Sequence, residues 1–320
     1  MKIGILNCSD IAKRRMIPAM KSVEGINITI VCSRDIKKAR EFAKEFGIPQ
    51  YTDDPDSIKN VDAVYISSPP SEHFFHVMKF LDRGINVLCE KSLTTSDSHT
   101  ETIIKEADRN GLIVQENYGF IFHDQWKWIT KTLPELGDIL SINAGFEFPP
   151  RDKSTDFRYN KELGGGALLD AGGYPIKAAS MLMKKINLGE ISGSHRLSAE
   201  VEVDVSGNVY FLDENGTAAY LTWSFESPYK CEMEITGNRG KIKSRKIFTP
   251  RPDETVIVER TDEFGKIVET KEFKTDHFVE LIKDFKRRID EKDNSHHKEI
   301  LKQSNWQSYA KTTSFRTIVN

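Results

Sequence analysis

The chain has 320 residues, 38% of them hydrophobic and 29% charged, which is enough apolar material for two cores and the balance of an ordinary water-soluble globular protein. Its formal net charge is −2 and its isoelectric point is near 6.5, so no basic field argues for nucleic acid or an anionic membrane surface as a partner. The first residues carry one lysine and few apolar positions, and no run approaches the ~20 apolar residues of a membrane span, so the expected location is the cytoplasm. Four scattered cysteines (Cys8, Cys32, Cys89, Cys231), three of them in strand-like or strand-end contexts, read as buried free thiols.

The chain opens with a short apolar strand, Lys2-Ile3-Gly4-Ile5-Leu6, followed by Asn7-Cys8-Ser9-Asp10-Ile11-Ala12 and a helix-like run through Met20. This is the strand, turn and helix order of a dinucleotide-binding unit, and it makes Asn7, Cys8, Ser9, Asp10 and Ile11 candidate cofactor-binding residues. The Gly-x-Gly-x-x-Gly/Ala fingerprint would place glycines at 7 and 9, yet only Ala12 fits it. Asn tolerates positive φ, so the tight turn can survive at Asn7, but Ser9 must turn its side chain away for a pyrophosphate to approach. The next strand, Asn27 to Cys32, ends in Ser33-Arg34, with Lys37 and Lys38 following. A carboxylate at that edge would serve a ribose hydroxyl pair, whereas Ser33, Arg34 and Lys38 suit a 2′-phosphate, so NADP(H) is expected over NAD(H), with Asp35 as the dissenting residue.

A helix over 35–46 stopped by Gly47, a strand over 61–67 running into Ser67-Ser68-Pro69-Pro70, and a helix over 74–82 stopped by Gly84 come next. The apolar run 85–89 then delivers Glu90-Lys91 to a strand end, before a helix over 98–109 and a strand over 112–115. Short strands alternating with helices predict an α/β doubly wound parallel sheet, a Rossmann-type domain over residues 1–119. Ligands collect outside the carboxyl ends of such strands, so Lys91 is a candidate acid or base and Glu90 a candidate cofactor contact.

Beyond residue 120 the pattern changes. In 217–225, Ala219, Leu221, Trp223 and Phe225 share one face, and in 230–236, Cys231, Met233 and Ile235 oppose Glu232 and Glu234. The turns Asp213-Glu214-Asn215-Gly216 and Gly237-Asn238-Arg239-Gly240 carry hairpin chemistry. Residues 120–320 are expected to form an α+β substrate-binding domain with a large, mostly antiparallel, open-faced sheet. Small and apolar residues on its second face predict self-association, as a homodimer or homotetramer, which a mass by light scattering decides. Between these strands and the first domain, Phe157-Arg158-Tyr159 precedes Gly164-Gly165-Gly166 and the run Ala167 to Pro175. Three glycines ahead of a helix allow close approach of a ligand, and helical spacing sets Asp170 and Tyr174 on one face. His73 and His76, and the adjacent pair His296 and His297, lack a third ligand at suitable spacing, so no metal is expected.

These segments together resemble the Gfo/Idh/MocA oxidoreductases over nearly the whole chain. The matching motifs are Asn7 to Ala12, Ser68-Pro69-Pro70-Ser71-Glu72-His73 where that family has a Thr-Pro-Asn-x-x-His type motif, Glu90-Lys91, and Gly164 to Tyr174 where it has Gly-Gly-Gly-x-Leu-x-Asp-x-Gly-x-His. Ile11 to Pro18, Cys32-Ser33-Arg34, Phe148-Pro149-Pro150 and Gly172 to Ile176 look most like the family's nucleotide-sugar 3-ketoreductases, which carry tyrosine where many relatives have histidine. The resemblance implies that Lys91 and Tyr174 are the catalytic pair. It further implies that Ser67, Pro69, His73, Glu90 and Asn117 line the cofactor site, and that Arg158, Asp170 and Tyr174 orient the substrate. Family members usually have proline after Glu-Lys, commonly with a cis bond; Ser92 stands there in this chain. The expected activity is NADPH-dependent reduction of a keto group on a nucleotide-linked sugar. Two alternatives stay open: a dehydrogenase of a free sugar, inositol or other polyol, and a regulator that binds cofactor or sugar without turnover.

Overall fold

The computed structural model describes residues 1–319 and divides the chain into two compact units, Met1–Asn117 with Phe278–Leu301, and Tyr118–His277 with Lys302–Asn320. In the first unit six strands alternate with helices: β1 (Lys2–Leu6), α1 (Ile17–Ser22), β2 (Asn27–Cys32), α2 (Ile36–Phe46), β3 (Gln50–Thr52), β4 (Ala63–Ile66), α3 (Pro70–Leu81), β5 (Asn86–Cys89), α4 (Asp97–Asn110) and β6 (Val114–Glu116). All six strands are parallel in the order β3-β2-β1-β4-β5-β6. The chain reverses its direction of travel across the sheet between β1 and β4, and ligands of doubly wound sheets bind at such a switch point. β4 is buried at all four positions, as expected of a strand covered by helices on both faces.

The second unit contains α5 (Asp124–Thr132), β7 (Ile139–Glu147), α6 (Gly173–Leu182), and β8 to β14 (Ser192–Ser198, Asp204–Leu212, Ala218–Ser224, Lys230–Gly237, Gly240–Ser244, Val256–Thr261 and Ile267–Phe273). The chain then forms α7 (His277–Glu291), α8 (His297–Thr313) and β15 (Phe315–Val319). Nine strands form one sheet in the order β14-β13-β12-β11-β7-β10-β9-β8-β15, antiparallel except for β7 with β10 and β8 with β15. The period-two reading holds in register: Ala219, Leu221 and Trp223 are buried, whereas Tyr220 is exposed. Among the described residues no helix is long and apolar enough to cross a membrane.

Two features depart from the expected organisation. The first unit is not one continuous stretch ending at 119, because α7 and the start of α8 return to it. His296 and His297 show what holds them there. His296 Nε2 donates to the Val114 carbonyl at 2.9 Å, and Val114 N–H donates to His297 Nε2 at 3.1 Å. The pair thus satisfies the open edge of β6, and His297 Nδ1 meets Asp108 at 2.7 Å. The other departure is β3, three residues with no alternating pattern, two of them exposed, which the sequence does not announce.

His123 caps α5, its Nδ1 accepting from Gln125 N–H at 3.2 Å, and the ring is fully buried. Burial lowers its pKa from 6.5 to about 4. Below pH 6.5 the unfolded chain takes up a proton that the native ring refuses, so stability falls as pH drops from 6.5 towards 4, by up to about 3 kcal/mol from this group. His73, His76 and His297 are shifted in the same direction, so each adds to that loss. We expect His123→Asn, which keeps a capping acceptor but does not titrate, to lose less stability than wild type between pH 7 and pH 4.5 in urea melts. Parallel loss in both proteins would rule His123 out as the cause.

Candidate active site

At the switch point Asn7 follows β1 with φ +80°, the left-handed conformation that the fingerprint glycine would otherwise supply. Its main-chain N–H donates to the Cys32 carbonyl at 2.9 Å and its side-chain amide to the Ser67 carbonyl at 2.9 Å, tying together the ends of β1, β2 and β4. Ser9 resolves the second departure from the glycine pattern: its hydroxyl donates to Ser67 Oγ at 2.7 Å and accepts from Ala12 N–H at 3.2 Å. The side chain is therefore held within the turn and caps the helical segment behind it. That segment runs from Asp10 and includes a π turn over Ala12–Met16 before α1. Pro18 has no N–H to complete a regular ladder there, and such widened turns recur at functional sites. Cys8 is buried, with its thiol pushed up to about 11 by burial against the pull of Lys38, while Asp10 is exposed and paired with Arg14.

The edge of β2 presents Ser33 and Arg34 to a cavity. Asp35, the dissenting residue, caps α2, its carboxylate accepting from Lys37 N–H at 2.9 Å and Lys38 N–H at 3.4 Å. Ser33 is 6% exposed and Arg34 is largely solvent-facing, with Nη1 at 3.2 Å from Glu72 Oε1. Ser33, Arg34, Glu72, Phe75 and Asn7 line a cavity of about 420 Å³. The residues present fit NADP(H): the turn is formed without glycines, the capping carboxylate is engaged elsewhere, and a guanidinium stands at the cavity wall.

Glu90 and Lys91 follow β5 at the same carboxyl edge, as the apolar run implied. Glu90 Oε1 accepts from Tyr65 Oη at 2.7 Å and from Asn117 Nδ2 at 2.6 Å. Burial raises the Glu90 carboxyl above its ordinary value, while those two donors and the charge of Lys91 oppose the shift. The Lys91-Ser92 peptide is cis although residue 92 is not proline. On its far side the chain is anchored twice. His73 Nδ1 faces the Ser92 carbonyl at 2.9 Å, and Leu93 N–H donates to Glu116 at 2.7 Å. His73 also faces the Ser68 carbonyl through Nε2 at 2.7 Å and is fully buried. This revises its expected role: the ring is a strut between two loops rather than a cofactor contact. Pro69 sits at the N-cap of α3, and Ser67 Oγ faces the Leu6 and Asn7 carbonyls.

In the second unit Arg158 Nε donates to Asp170 at 2.6 Å, and its Nη1 reaches Asp156 at 3.1 Å. Burial disfavours the Arg158 charge, but the two carboxylates outweigh it and hold the group firmly protonated. The glycine run serves the fold rather than a ligand. Gly165 N–H and Gly166 N–H donate to the Asn160 and Arg158 carbonyls at 2.9 Å each, and a Cβ on Gly165 would stand 2.8 Å from the Asn160 oxygen. Gly166 has φ +123°, and a Cβ on Gly172 would press on Trp223 at 2.8 Å. A second π turn, Leu168–Gly172, carries Asp170 into α6. One turn on, Tyr174 lies among Phe146, Tyr118, Phe248 and Phe120 at ring-centroid distances of 5.0, 5.3, 5.8 and 6.1 Å. Lys177, buried one turn further along α6, was not singled out by the sequence. Among the described residues no group of three or more His, Cys, Asp or Glu side chains could hold a metal ion.

Comparisons with known proteins agree with this architecture. Residues 1–118 match the oxidoreductase family with an NAD-binding Rossmann fold, and residues 134–243 match the GFO/IDH/MocA C-terminal domain. A dTDP-3,4-didehydro-2,6-dideoxy-alpha-D-glucose 3-reductase of Saccharopolyspora spinosa is 38% identical, over 84% of this chain and 81% of that protein. A 3-ketoreductase of Actinomadura kijaniata, solved in complex with NADP and TDP-benzene, superposes with a TM-score of 0.92 at 28% identity, covering 100% of this chain and 99% of its own. A D-xylose 1-dehydrogenase (NADP(+)) of Haloferax volcanii is 26% identical over 91% of this chain and 89% of its own. The turn at Asn7, the Glu90-Lys91 strand end and the matches across both units lead to one assignment: the chain belongs to the Gfo/Idh/MocA oxidoreductase family.

Proposed function

We propose that this protein reduces a keto group of a nucleotide-linked sugar with NADPH, the sugar being a deoxyhexose carried on a thymidine diphosphate. The observation that carries the reading is the carboxyl edge of the parallel sheet, where one strand end presents Ser33 and Arg34 and another presents Glu90 and Lys91. The first pair suits a 2′-phosphate, and the second brings an ammonium group to the edge where ligands collect. The relatives named above support the substrate class.

NADPH, which Ser33 and Arg34 would hold at its 2′-phosphate, would supply the hydride that the carbonyl carbon receives. The residues of the chain do the rest. The Lys91 ammonium polarises the carbonyl oxygen and stabilises the alkoxide that develops on it. The alkoxide takes up a proton to give the alcohol, with the Lys91 ammonium as one candidate donor and the Tyr174 hydroxyl of the second unit as the other. Arg158 and Asp170, locked together, orient the segment that bears it.

The deciding experiment mixes the protein with NADPH and a dTDP-linked 3-keto deoxyhexose and follows cofactor oxidation and product. We expect turnover with this ketone and a much lower kcat/KM for NADP⁺ reduction by free D-xylose or an inositol. The reverse preference would establish the free-polyol dehydrogenase, for which the Haloferax relative is the specific support. NADPH binding without turnover of either substrate would establish a regulator.

A further inference from the structure

We infer that Tyr65 is a positioning residue for the reaction, holding the Glu90 carboxylate in place beside Lys91. Tyr65 lies in the middle of β4, an all-buried strand whose neighbours are aliphatic, and its ring is fully buried. A buried phenol needs a partner for its O–H, and phenylalanine would fill the same space without one. The partner is Glu90 Oε1 at 2.7 Å, the same oxygen that accepts from Asn117 Nδ2 at 2.6 Å. Two donors converging on one oxygen of a buried carboxylate fix its rotamer, and hence the charge that the neighbouring lysine meets.

The strand that carries the phenol runs on into the nucleotide turn at Ser67. Ser67, two residues on and just past the end of β4, acts against the upward shift that burial and Glu90 impose on the phenol. Ser67 in turn receives the Ser9 hydroxyl at 2.7 Å and faces the Asn7 carbonyl at 3.2 Å. Two sets of polar contacts therefore lie at the switch point in an otherwise aliphatic sheet, Ser9 with Ser67 and Tyr65 with Glu90 and Asn117. Their members come from β4 or the turns directly after β1, β4, β5 and β6. The titratable groups around the Glu90 carboxylate are Tyr65 on β4, Cys89 at the end of β5, Lys91 next along the chain, and Glu116 on β6. Of these, Tyr65 and Lys91 favour its ionised form, as does the Asn117 amide.

The inference rests on the reading of Lys91 as the polarising group, and its test is Tyr65→Phe, which keeps the ring and removes the donor. We expect NADPH affinity within about twofold of wild type and kcat lowered about tenfold, the loss of one hydrogen bond to a charged group. The acid limb of the kcat profile should move up by about one pH unit, because a carboxylate deprived of a donor takes up its proton earlier. In a Glu90→Gln background the same substitution should cost almost nothing, since the two act through one contact. An unmoved acid limb with wild-type kcat, or an equal loss in the Glu90→Gln background, overturns the role assigned to Tyr65. Failure of the Lys91 reading is recognised separately, by Lys91→Met retaining turnover.

Discussion

Lys91→Met lowers kcat for ketone reduction by about 10²- to 10⁴-fold, the range set by removing a general acid or a preorganised charge from a developing alkoxide. NADPH affinity changes little, because the groups expected to bind the adenosine end, Ser33 and Arg34, stand at the end of a different strand. Methionine keeps the length of the side chain without its charge. The anchors on either side, Glu90 to Tyr65 and Asn117, and Ser92 to His73, do not involve the ammonium. Tyr174→Phe is the companion measurement. The Tyr174 ring packs edge-on against Tyr118 and Phe146, contacts that phenylalanine reproduces, so only the hydroxyl is lost. A loss of about tenfold or less in Tyr174→Phe would leave Lys91 as the group that meets the oxygen. A loss exceeding that of Lys91→Met would make Tyr174 the proton donor and reduce Lys91 to a binding charge. Wild-type turnover in Lys91→Met, measured with intact NADPH binding, would remove it from the chemistry.

What was legible in the sequence is what depends on neighbours along the chain. Asn7 declares its left-handed turn because few side chains tolerate positive φ, and Glu90-Lys91 declares a strand end because a buried apolar run cannot continue through two charges. What was illegible depends on groups that meet only in space. Tyr65, within Ala63-Val64-Tyr65-Ile66, has the pattern of any buried strand residue, and nothing local shows that a carboxylate lies across from its hydroxyl. His73 sits in a family motif at the mouth of a strand and so reads as a ligand contact, yet both of its nitrogens face main-chain carbonyls. The amphipathic pattern of α7 says that one face is buried, but not that the helix belongs to the first unit. The three glycines at 164–166 look like a ligand cradle for the same reason: the sequence shows that something comes close, and the Arg158 and Asn160 carbonyls are what does.

Arg34→Ala weakens NADPH binding by about 10- to 100-fold and leaves NADH binding nearly unchanged, so that the preference between the two collapses. The magnitude is that of a charge-assisted hydrogen bond to phosphate, about 1.5–3 kcal/mol. The selectivity follows from where the carboxylates at this edge are committed. A protein that reads the ribose hydroxyls of NADH needs an acidic side chain turned towards them. Asp35 has the right position in sequence but is turned into α2, where it accepts from two main-chain N–H groups. Two carboxylates line the cavity wall: Asp53 is exposed just past the end of β3 rather than β2, whereas Glu72 is paired with Arg34 at 3.2 Å and lies 3.5 Å from His76. A 2′-phosphate arriving at Ser33 and Arg34 must compete with Glu72 for the guanidinium, and a ribose hydroxyl need not. Glu72→Gln is therefore the opposite change: it removes the competitor without removing the donor, and NADPH should bind several-fold more tightly while NADH moves little. Titrations of both dinucleotides against the two variants measure the effect. Equal weakening of NADH and NADPH by Arg34→Ala would mean that Arg34 contacts a part common to both, and NADH binding more tightly than NADPH in the wild type would reverse the assignment altogether.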